Sequence, residues 1–120
     1  MIRIAIRCAK RSTVRAKHGA ILVRGKRILG RGSNTYKTHP RWGAGVTNSI
    51  HAEEAAIKDA LRTNDPKDLR GTTLYVARYN PYGDTLSMPC AKCQELILKV
   101  GIKKVVYTYT KTELKIWKPT

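Results

Sequence analysis

The order of the predicted elements indicates an α/β protein built on a mixed sheet of four or five strands, with helices packed on it. Helix-like and strand-like segments follow one another as αββαβαβ(β) along the 120 residues. A chain of this length forms one core, so residues 1–120 are expected to be a single domain. After Thr110 too few residues remain for a parallel crossover of about a dozen residues and another strand. The segment Leu114 to Trp117 is therefore expected to return antiparallel as a hairpin edge, or to form a short docked tail.

The first half of the chain predicts a helix, a hairpin and a long loop. Residues 2 to about 16 have the period of an amphipathic helix whose polar side is almost entirely positive. The apolar runs 19–23 and 28–29 flank a turn-like Arg-Gly-Lys and predict a β-hairpin. From Ser33 to about Ser49 the periodicity stops, which predicts a loop longer than a connector usually needs. The apolar positions of the helix are Ile2, Ile6, Ala9 and Val14.

The second half alternates helices and strands. A helix is predicted from Ile50 to about Arg62, because apolar residues recur at helical spacing and a Pro-containing stop follows. A second helix is predicted from near Pro89 to Gly101, where Pro suits a helix start and Gly a helix end. The strands are expected at 72–77 and 103–109, and turn residues occupy 80–84.

Charge is the most unusual feature of the composition. The chain has 24 Lys and Arg against 8 Asp and Glu, a net charge of +16. Such a field attracts phosphates, either on a nucleotide or along a polynucleotide. The basic residues are scattered through the sequence, so a generally solvated basic surface is the alternative interpretation.

The remaining composition favours a reducing compartment, which we take to be the cytoplasm, and no membrane association. No apolar run approaches the roughly 18 residues that span a bilayer, and the first residues do not resemble a secretory signal. Three cysteines are an odd number, and two of them form a Cys-x-x-Cys pair, which argues against a disulfide framework. Cys8 is expected to be a small core residue.

The candidate chemistry is carried by Cys90 and Cys93 together with His51 and Glu53. Two cysteines three apart and a distant His supply three metal ligands and leave one position open, which is the ligand count of a catalytic zinc site. His51 is expected at the opening of one helix and the cysteines in the first turn of another, at the positive ends of both helix dipoles. Glu53 is then predicted to be the general base that takes a proton from the bound water and returns it to the substrate.

Two other uses of the cysteine pair fit the sequence less well. A structural zinc site would need two further ligands, for which only Cys8, His18 and His39 are available besides His51. A thioredoxin-like redox pair would leave His51 and Glu53 unexplained. The combination H-x-E with P-C-x-x-C is instead the pattern described for zinc nucleobase deaminases.

Residues 5 to 110, which contain these motifs, resemble the cytidine/deoxycytidylate deaminase superfamily. Within it they look most like the small phage-type deaminases. The shared order is a hairpin, Gly32-Ser33-Asn34, His51-Ala52-Glu53, a strand, Pro89-Cys90-Ala91-Lys92-Cys93 and the strand at Gly101 to Val106. The resemblance implies a three-layer α/β/α fold and one Zn²⁺ per chain, bound by His51, Cys90 and Cys93. It also implies Glu53 as proton shuttle, the Ala52 N–H as a contact to the base, and Asn34 as a contact to base or sugar.

The substrate contacts are the least constrained part of the sequence. Lys37 and His39 could bind a phosphate at the mouth of the pocket, or belong to a solvated loop. Arg78 to Met88 lengthens the connection into Pro89-Cys90 beyond the family pattern, and Met88 is included among the expected substrate contacts. His18 is interpreted as a strand-edge residue. The aromatic residues Trp42, Tyr79 and Tyr82 could stack on a base or simply pack, and Trp117 is expected to be a core or interface anchor.

The leading functional hypothesis is a zinc-dependent hydrolytic deaminase that acts on the cytosine moiety of a nucleoside or nucleotide such as dCMP. The first alternative is a deaminase that acts on cytosine or adenine in single-stranded DNA or RNA. The second is a catalytically silent module that binds nucleic acid. A homo-oligomer is compatible with all three.

Overall fold

The structure is a computed structural model that describes residues 1–12, 16–38, 47–81, 85–110 and 112–119, with the backbone alone at 36–38 and 47–49. Within these ranges the chain runs through three helices, seven strands and one short 3-10 turn. The helices are α1 (Ile2–Lys10), α2 (Ala52–Ala60) and α3 (Ala91–Val100), and the turn is Pro66–Leu69. The strands are β1 (Lys17–Arg24), β2 (Arg27–Ser33), β3 (Thr35–Thr38), β4 (Thr47–Ile50), β5 (Thr73–Tyr79), β6 (Lys104–Thr108) and β7 (Leu114–Trp117).

A five-stranded mixed sheet in the order β2-β1-β5-β6-β7 forms the centre of the fold. β1 is antiparallel to β2 and to β5, β5 is parallel to β6, and β7 returns antiparallel to β6. The predicted antiparallel return of the C-terminal segment is therefore confirmed. His18, interpreted as a strand-edge residue, is the second residue of β1, a strand flanked on both sides, and it pairs with Arg78 of β5.

Successive side chains of β1 point into two different cores, which makes the fold three layers deep. Ala20 and Leu22 join the core under α2 and α3, whereas Ile21 and Val23 join the core under α1. β5 is shared in the same way, and this arrangement confirms the expected α/β/α architecture. No helix among the described residues is long and apolar enough to cross a membrane.

The first helix is shorter than predicted. Its buried side consists of Ala5, Cys8 and Ala9, and it ends at Lys10 instead of near residue 16. The N–H groups of Arg11 and Ser12 donate to the Cys8 and Ala9 carbonyls, and the Ser12 hydroxyl donates to the Asn34 carbonyl. These bonds close the helix and tie its end to Asn34. The predicted apolar position Val14 lies outside the described residues. Cys8 is a core residue as predicted, and burial raises the pKa of its thiol.

The predicted loop from Ser33 to Ser49 contains two strands. β3 and β4 pair antiparallel as a separate two-stranded sheet, with Thr35 opposite Ile50 and Thr38 opposite Thr47. Ile50 was assigned to the following helix, but it is the last residue of β4. Short polar strands of this kind have no alternation of apolar residues, so the sequence pattern did not indicate them. Residues 39–46, which include His39 and Trp42, lie outside the described part of the chain.

Most of the other boundaries differ from the prediction by one or two residues, but β2 continues to Ser33, well beyond the predicted run 28–29. α2 begins at Ala52 and ends at Ala60, and α3 begins at Ala91 and ends before Gly101, whose φ of 87° is the left-handed conformation expected of a glycine helix end. β5 continues to Tyr79, so Arg78 belongs to the strand and not to the connection. Trp117 packs against the core under α2 and α3.

Candidate active site

Three metal-ligating side chains meet where α2 and α3 begin. His51 Nδ1 lies 3.4 Å from Cys93 Sγ and 3.6 Å from Cys90 Sγ. The three ligand atoms all lie within 4.8 Å of one another. Residues from two segments about forty positions apart in the sequence are thereby brought to one point.

The helix starts explain why these side chains converge. His51 and Cys90 are the N-cap residues of α2 and α3, and their extended backbone, with ψ of 150° and 168°, precedes the regular helix. Neither side chain caps its own helix, so both are available to the cluster. Cys93 is the third residue of α3, on the first turn. The predicted placement at two helix starts is confirmed.

Glu53 completes the cluster from the second position of α2. The side chain is only 5% exposed, although an isolated carboxylate is seldom buried. It lies within interaction range of the Cys93 thiol. Burial raises the pKa of the Cys93 thiol far above its ordinary value, and Glu53 and Cys90 add to the rise. A divalent cation would reverse this effect, because a coordinating thiol gives up its proton.

The geometry of the three ligand atoms fits a zinc ion. Tetrahedral coordination with ordinary Zn–S and Zn–N bond lengths separates a sulfur from a nitrogen ligand by about 3.6 Å. The two observed sulfur-to-nitrogen distances are 3.4 and 3.6 Å. Two thiols and an imidazole are also the donor types that zinc prefers. His51, Cys90 and Cys93 thus form a candidate site for one zinc ion with a fourth position left for a small ligand.

The long connection between β5 and α3 is fastened to the sheet just before the cysteines. Ser87 is buried, and its hydroxyl donates to the Val76 carbonyl and accepts the N–H of Thr108. The Ser87 N–H donates to the Thr108 carbonyl, and the Thr108 hydroxyl donates to the Thr85 carbonyl. This network fixes residues 85–87 against the ends of β5 and β6. It thereby positions Cys90 despite the extra length of the connection.

His18 and Arg78 are two neighbours of the site that the sequence did not indicate. They face each other across β1 and β5, and His18 shares its side of β1 with Ala20 and Leu22, under α2. Burial lowers the pKa of the His18 imidazole, while the hydrogen bond to Ala16 and the charge of Glu53 act in the opposite direction, so His18 is within electrostatic range of the carboxylate. His18 Nδ1 lies 3.1 Å from the Ala16 carbonyl, so its other ring nitrogen is directed elsewhere. Only the pairing of β1 with β5 brings these residues to the site, so their sequence spacing carries no signal.

Of the predicted substrate contacts, the structure describes Asn34, Ala52 and Met88 with their side chains and Lys37 by its backbone. The Asn34 side chain accepts the His18 N–H and donates to the Ala16 carbonyl, so it holds the start of β1. The N–H of Ala52 lies in the first turn of α2, where no helical carbonyl is available to it. Met88 is 37% exposed two residues before Cys90. Lys37 pairs through its backbone with Asn48, and His39 is outside the described residues.

The fold and the site together define a class of protein: a three-layer α/β/α chain with a His/Cys/Cys cluster and a buried carboxylate at two helix starts. The family model described as the cytidine and deoxycytidylate deaminase zinc-binding region matches residues 1–109. The chain therefore belongs to this family of deaminases.

Individual relatives agree with this assignment. A deoxycytidylate deaminase of Mycobacterium phage D29 is 34% identical in an alignment that covers 87% of this chain and 88% of the relative. Among solved structures, cytidine deaminase from Burkholderia pseudomallei aligns with a TM-score of 0.73 over 98% of this chain and 89% of that one, at 21% identity. The dCMP deaminase of cyanophage S-TIM5 aligns with a TM-score of 0.62 over 88% of this chain and 76% of its own, at 24% identity. The two structural likenesses show a shared fold.

Proposed function

We propose that this protein deaminates the cytosine moiety of a free nucleotide such as dCMP, giving uracil and ammonia, with residues 1–120 acting as one catalytic domain. The observation that carries the proposal is the meeting of three zinc-type ligand atoms with the buried Glu53 carboxylate. The relationship to a phage protein named deoxycytidylate deaminase supports the nucleotide as substrate class.

Each residue of the cluster has a separate role in this proposal. His51, Cys90 and Cys93 hold one zinc ion. When bound there, zinc supplies the Lewis acid that lowers the pKa of a water molecule toward neutrality. Glu53 carries one proton of the attacking water to the ring nitrogen of the base and then the second to the exocyclic amine, so that the C–N bond breaks, a carbonyl forms and ammonia leaves. The Ala52 N–H is aimed outward from a helix start and is suited to fix the base beside Glu53.

The roles of Glu53 and the ligands are separable by mutation. Glu53→Ala is expected to lower deamination of dCMP by about a hundredfold or more, because general acid–base catalysis contributes that much. Metal analysis of the same variant should still find one zinc per chain. Cys90→Ser is expected to lose both zinc and activity.

Glu54→Ala is the matched control, since Glu54 is the next residue of α2 and pairs on the surface with Lys58 at 3.1 Å. It should retain the activity of the parent protein. Loss of zinc from Glu53→Ala, or near-normal turnover by that variant, would contradict the role assigned to Glu53.

A second candidate is deamination of cytosine or adenine within single-stranded nucleic acid, which the net charge of +16 favours. A panel of dCMP, deoxycytidine and a single-stranded oligonucleotide, assayed for ammonia release at two salt concentrations, separates the candidates. Turnover of the oligonucleotide alone would reject the nucleotide as substrate. Salt-sensitive binding without ammonia release from any of them would point to a silent binding module.

A further inference from the structure

The charges of this chain are unevenly divided along the sequence. No Asp or Glu occurs before Glu53, whereas twelve of the 24 basic residues do. The acidic side chains that the structure describes lie in α2, in the turn that follows it, in α3 and between β6 and β7. The acid-free part of the chain builds α1, the β1–β2 hairpin and the β3–β4 pair.

The exposed side of α1 concentrates this positive charge. Arg3, Arg7 and Lys10 are exposed at i, i+4 and i+7, and therefore form one stripe along the helix. Arg11 continues the stripe at the helix end, and α1 itself contains no acidic residue that could neutralise it. A row of fixed cations with a regular spacing is complementary to a chain of phosphates.

The apolar residues of α1 argue against a membrane as the partner. Ala5 and Cys8 are buried against the sheet, and Ile2, Ile4 and Ile6 pack against the same core. Among the described residues of α1, no large apolar side chain is exposed; Met1, just before it, is 40% exposed. A helix that binds at a bilayer surface needs such an apolar side free.

The stripe ends beside the last residue of β5. Lys10 Nζ lies 5.0 Å from the centre of the Tyr79 ring, at the end of β5. Tyr79 lines a pocket of about 270 Å³ together with Ile6 of α1, Arg78 and Thr108. Proteins bind single-stranded nucleic acids with neighbouring cations and aromatic rings, because the bases stack on the rings and the phosphates contact the cations.

We propose that the exposed side of α1, defined by Arg3, Arg7, Lys10 and Arg11, is a binding surface for single-stranded nucleic acid that extends to Tyr79. Binding there is independent of the reaction assigned above. It contributes affinity through phosphate contacts and is therefore salt-dependent.

The test is a fluorescence anisotropy titration with a labelled single-stranded DNA of about 20 nucleotides at about 50 and 200 mM salt. The variant Arg3→Glu/Arg7→Glu/Lys10→Glu is expected to bind about tenfold or more weakly at the lower salt. Its slope of log affinity against log salt should fall by about two, since each phosphate contact to a single strand contributes about 0.7. Its turnover of dCMP should equal that of the parent protein, because none of these residues belongs to the catalytic cluster.

The matched control is Lys67→Glu/Lys99→Glu/Lys103→Glu, which changes the net charge equally at exposed positions outside α1. It should bind the oligonucleotide within about twofold of the parent protein. Equal weakening by both triple variants would mean diffuse attraction by net charge, and would overturn the proposal. Tighter binding of a duplex, of polyglutamate or of phosphatidylserine vesicles than of the single strand would overturn it as well. If a Glu variant unfolds, the corresponding Gln triple variants carry the same comparison.

Discussion

At the scale of single residues, the site depends on the hydroxyl of Ser87. This residue is not a metal ligand, but it lies shortly before Cys90 in the chain. Ser87→Ala removes the acceptor of the Thr108 N–H and the donor to the Val76 carbonyl, both within the buried network. Leaving such groups unsatisfied costs about 1–3 kcal/mol. We expect a lower free energy of unfolding and, because residues 85–87 then release Cys90, a lower zinc affinity.

Thr72→Val is the comparison for that prediction. Thr72 is also buried and donates its hydroxyl to the Leu69 carbonyl, but it lies at the start of β5 and away from the cluster. Chemical denaturation should show that both variants are destabilised, whereas a zinc titration should distinguish them. If Thr72→Val weakened zinc binding as much as Ser87→Ala does, the anchoring role of Ser87 would be wrong.

The same scale shows what a sequence can reveal about a site. His51, Glu53, Cys90 and Cys93 were predictable because metal ligation restricts residue type and local spacing, and helix starts restrict where the side chains point. His18, Arg78 and Ser87 are common residue types in ordinary strands and loops. Their proximity to the site depends on the β1–β5 register and on the path of residues 85–87. Neither is encoded in a local pattern.

At the scale of elements, one glycine of β2 and one of β1 set how closely α2 and α1 approach the sheet. A Cβ at Gly32 would overlap the backbone of Ala56 and approach the Ala52 carbonyl to 2.6 Å, at the start of the helix that carries His51 and Glu53. Gly19 of β1 is equally crowded, but by the backbone of Ala5 and Ala9 in α1. The two glycines therefore allow two helices to approach opposite faces of one sheet.

Because Gly32 contacts α2 and Gly19 contacts α1, substitutions at the two glycines should have different effects on the site. Gly32→Ala and Gly19→Ala should each destabilise the protein by about 1–3 kcal/mol, because a helix must move away from the sheet. Only Gly32→Ala should also lower deamination and zinc affinity, since it displaces the start of α2. Thermal unfolding and activity measured on the same samples test this. Equal activity losses in both variants would show that overall stability, and not the position of α2, limits the site.

The elements also differ in how well the sequence predicts them. The hairpin, α2, α3 and β5 to β7 each have a strong apolar period with clear stops, and their existence was predicted correctly. α1 was extended too far because Arg and Lys continue beyond the point where Arg11 and Ser12 close the helix. The sequence does not predict β3 and β4, because these strands are short and polar and have no apolar alternation. They pair only with each other.

At the scale of the whole molecule, the proposed zinc ion couples folding to pH. In the metal-free protein the pKa of Cys93 is raised above that of the unfolded chain, chiefly by burial. The stability that comes from keeping this thiol neutral is complete below the ordinary thiol pKa of about 8.5 and is lost as the pH rises above it. Zinc binding has the opposite dependence, because the thiols must lose protons to become ligands. The metal-free and zinc-loaded proteins should therefore diverge in stability as the pH increases.

Thermal unfolding of the protein with one equivalent of zinc and with a chelator, measured between about pH 6 and pH 9, tests this coupling. At a free zinc concentration about a hundredfold above Kd, the ion adds about 2.7 kcal/mol, or about 10 °C in Tm for a chain of this size. The difference in Tm between the zinc-loaded and metal-free proteins should be smallest at the lowest pH and grow as the pH rises. The reason is that zinc affinity increases about tenfold per pH unit for each proton released on binding. Cys8→Ala, which removes the other buried thiol, should leave this growth intact, whereas Cys90→Ser should abolish it. A constant difference across the pH range would mean that the thiols of the cluster are not the groups that bind the ion.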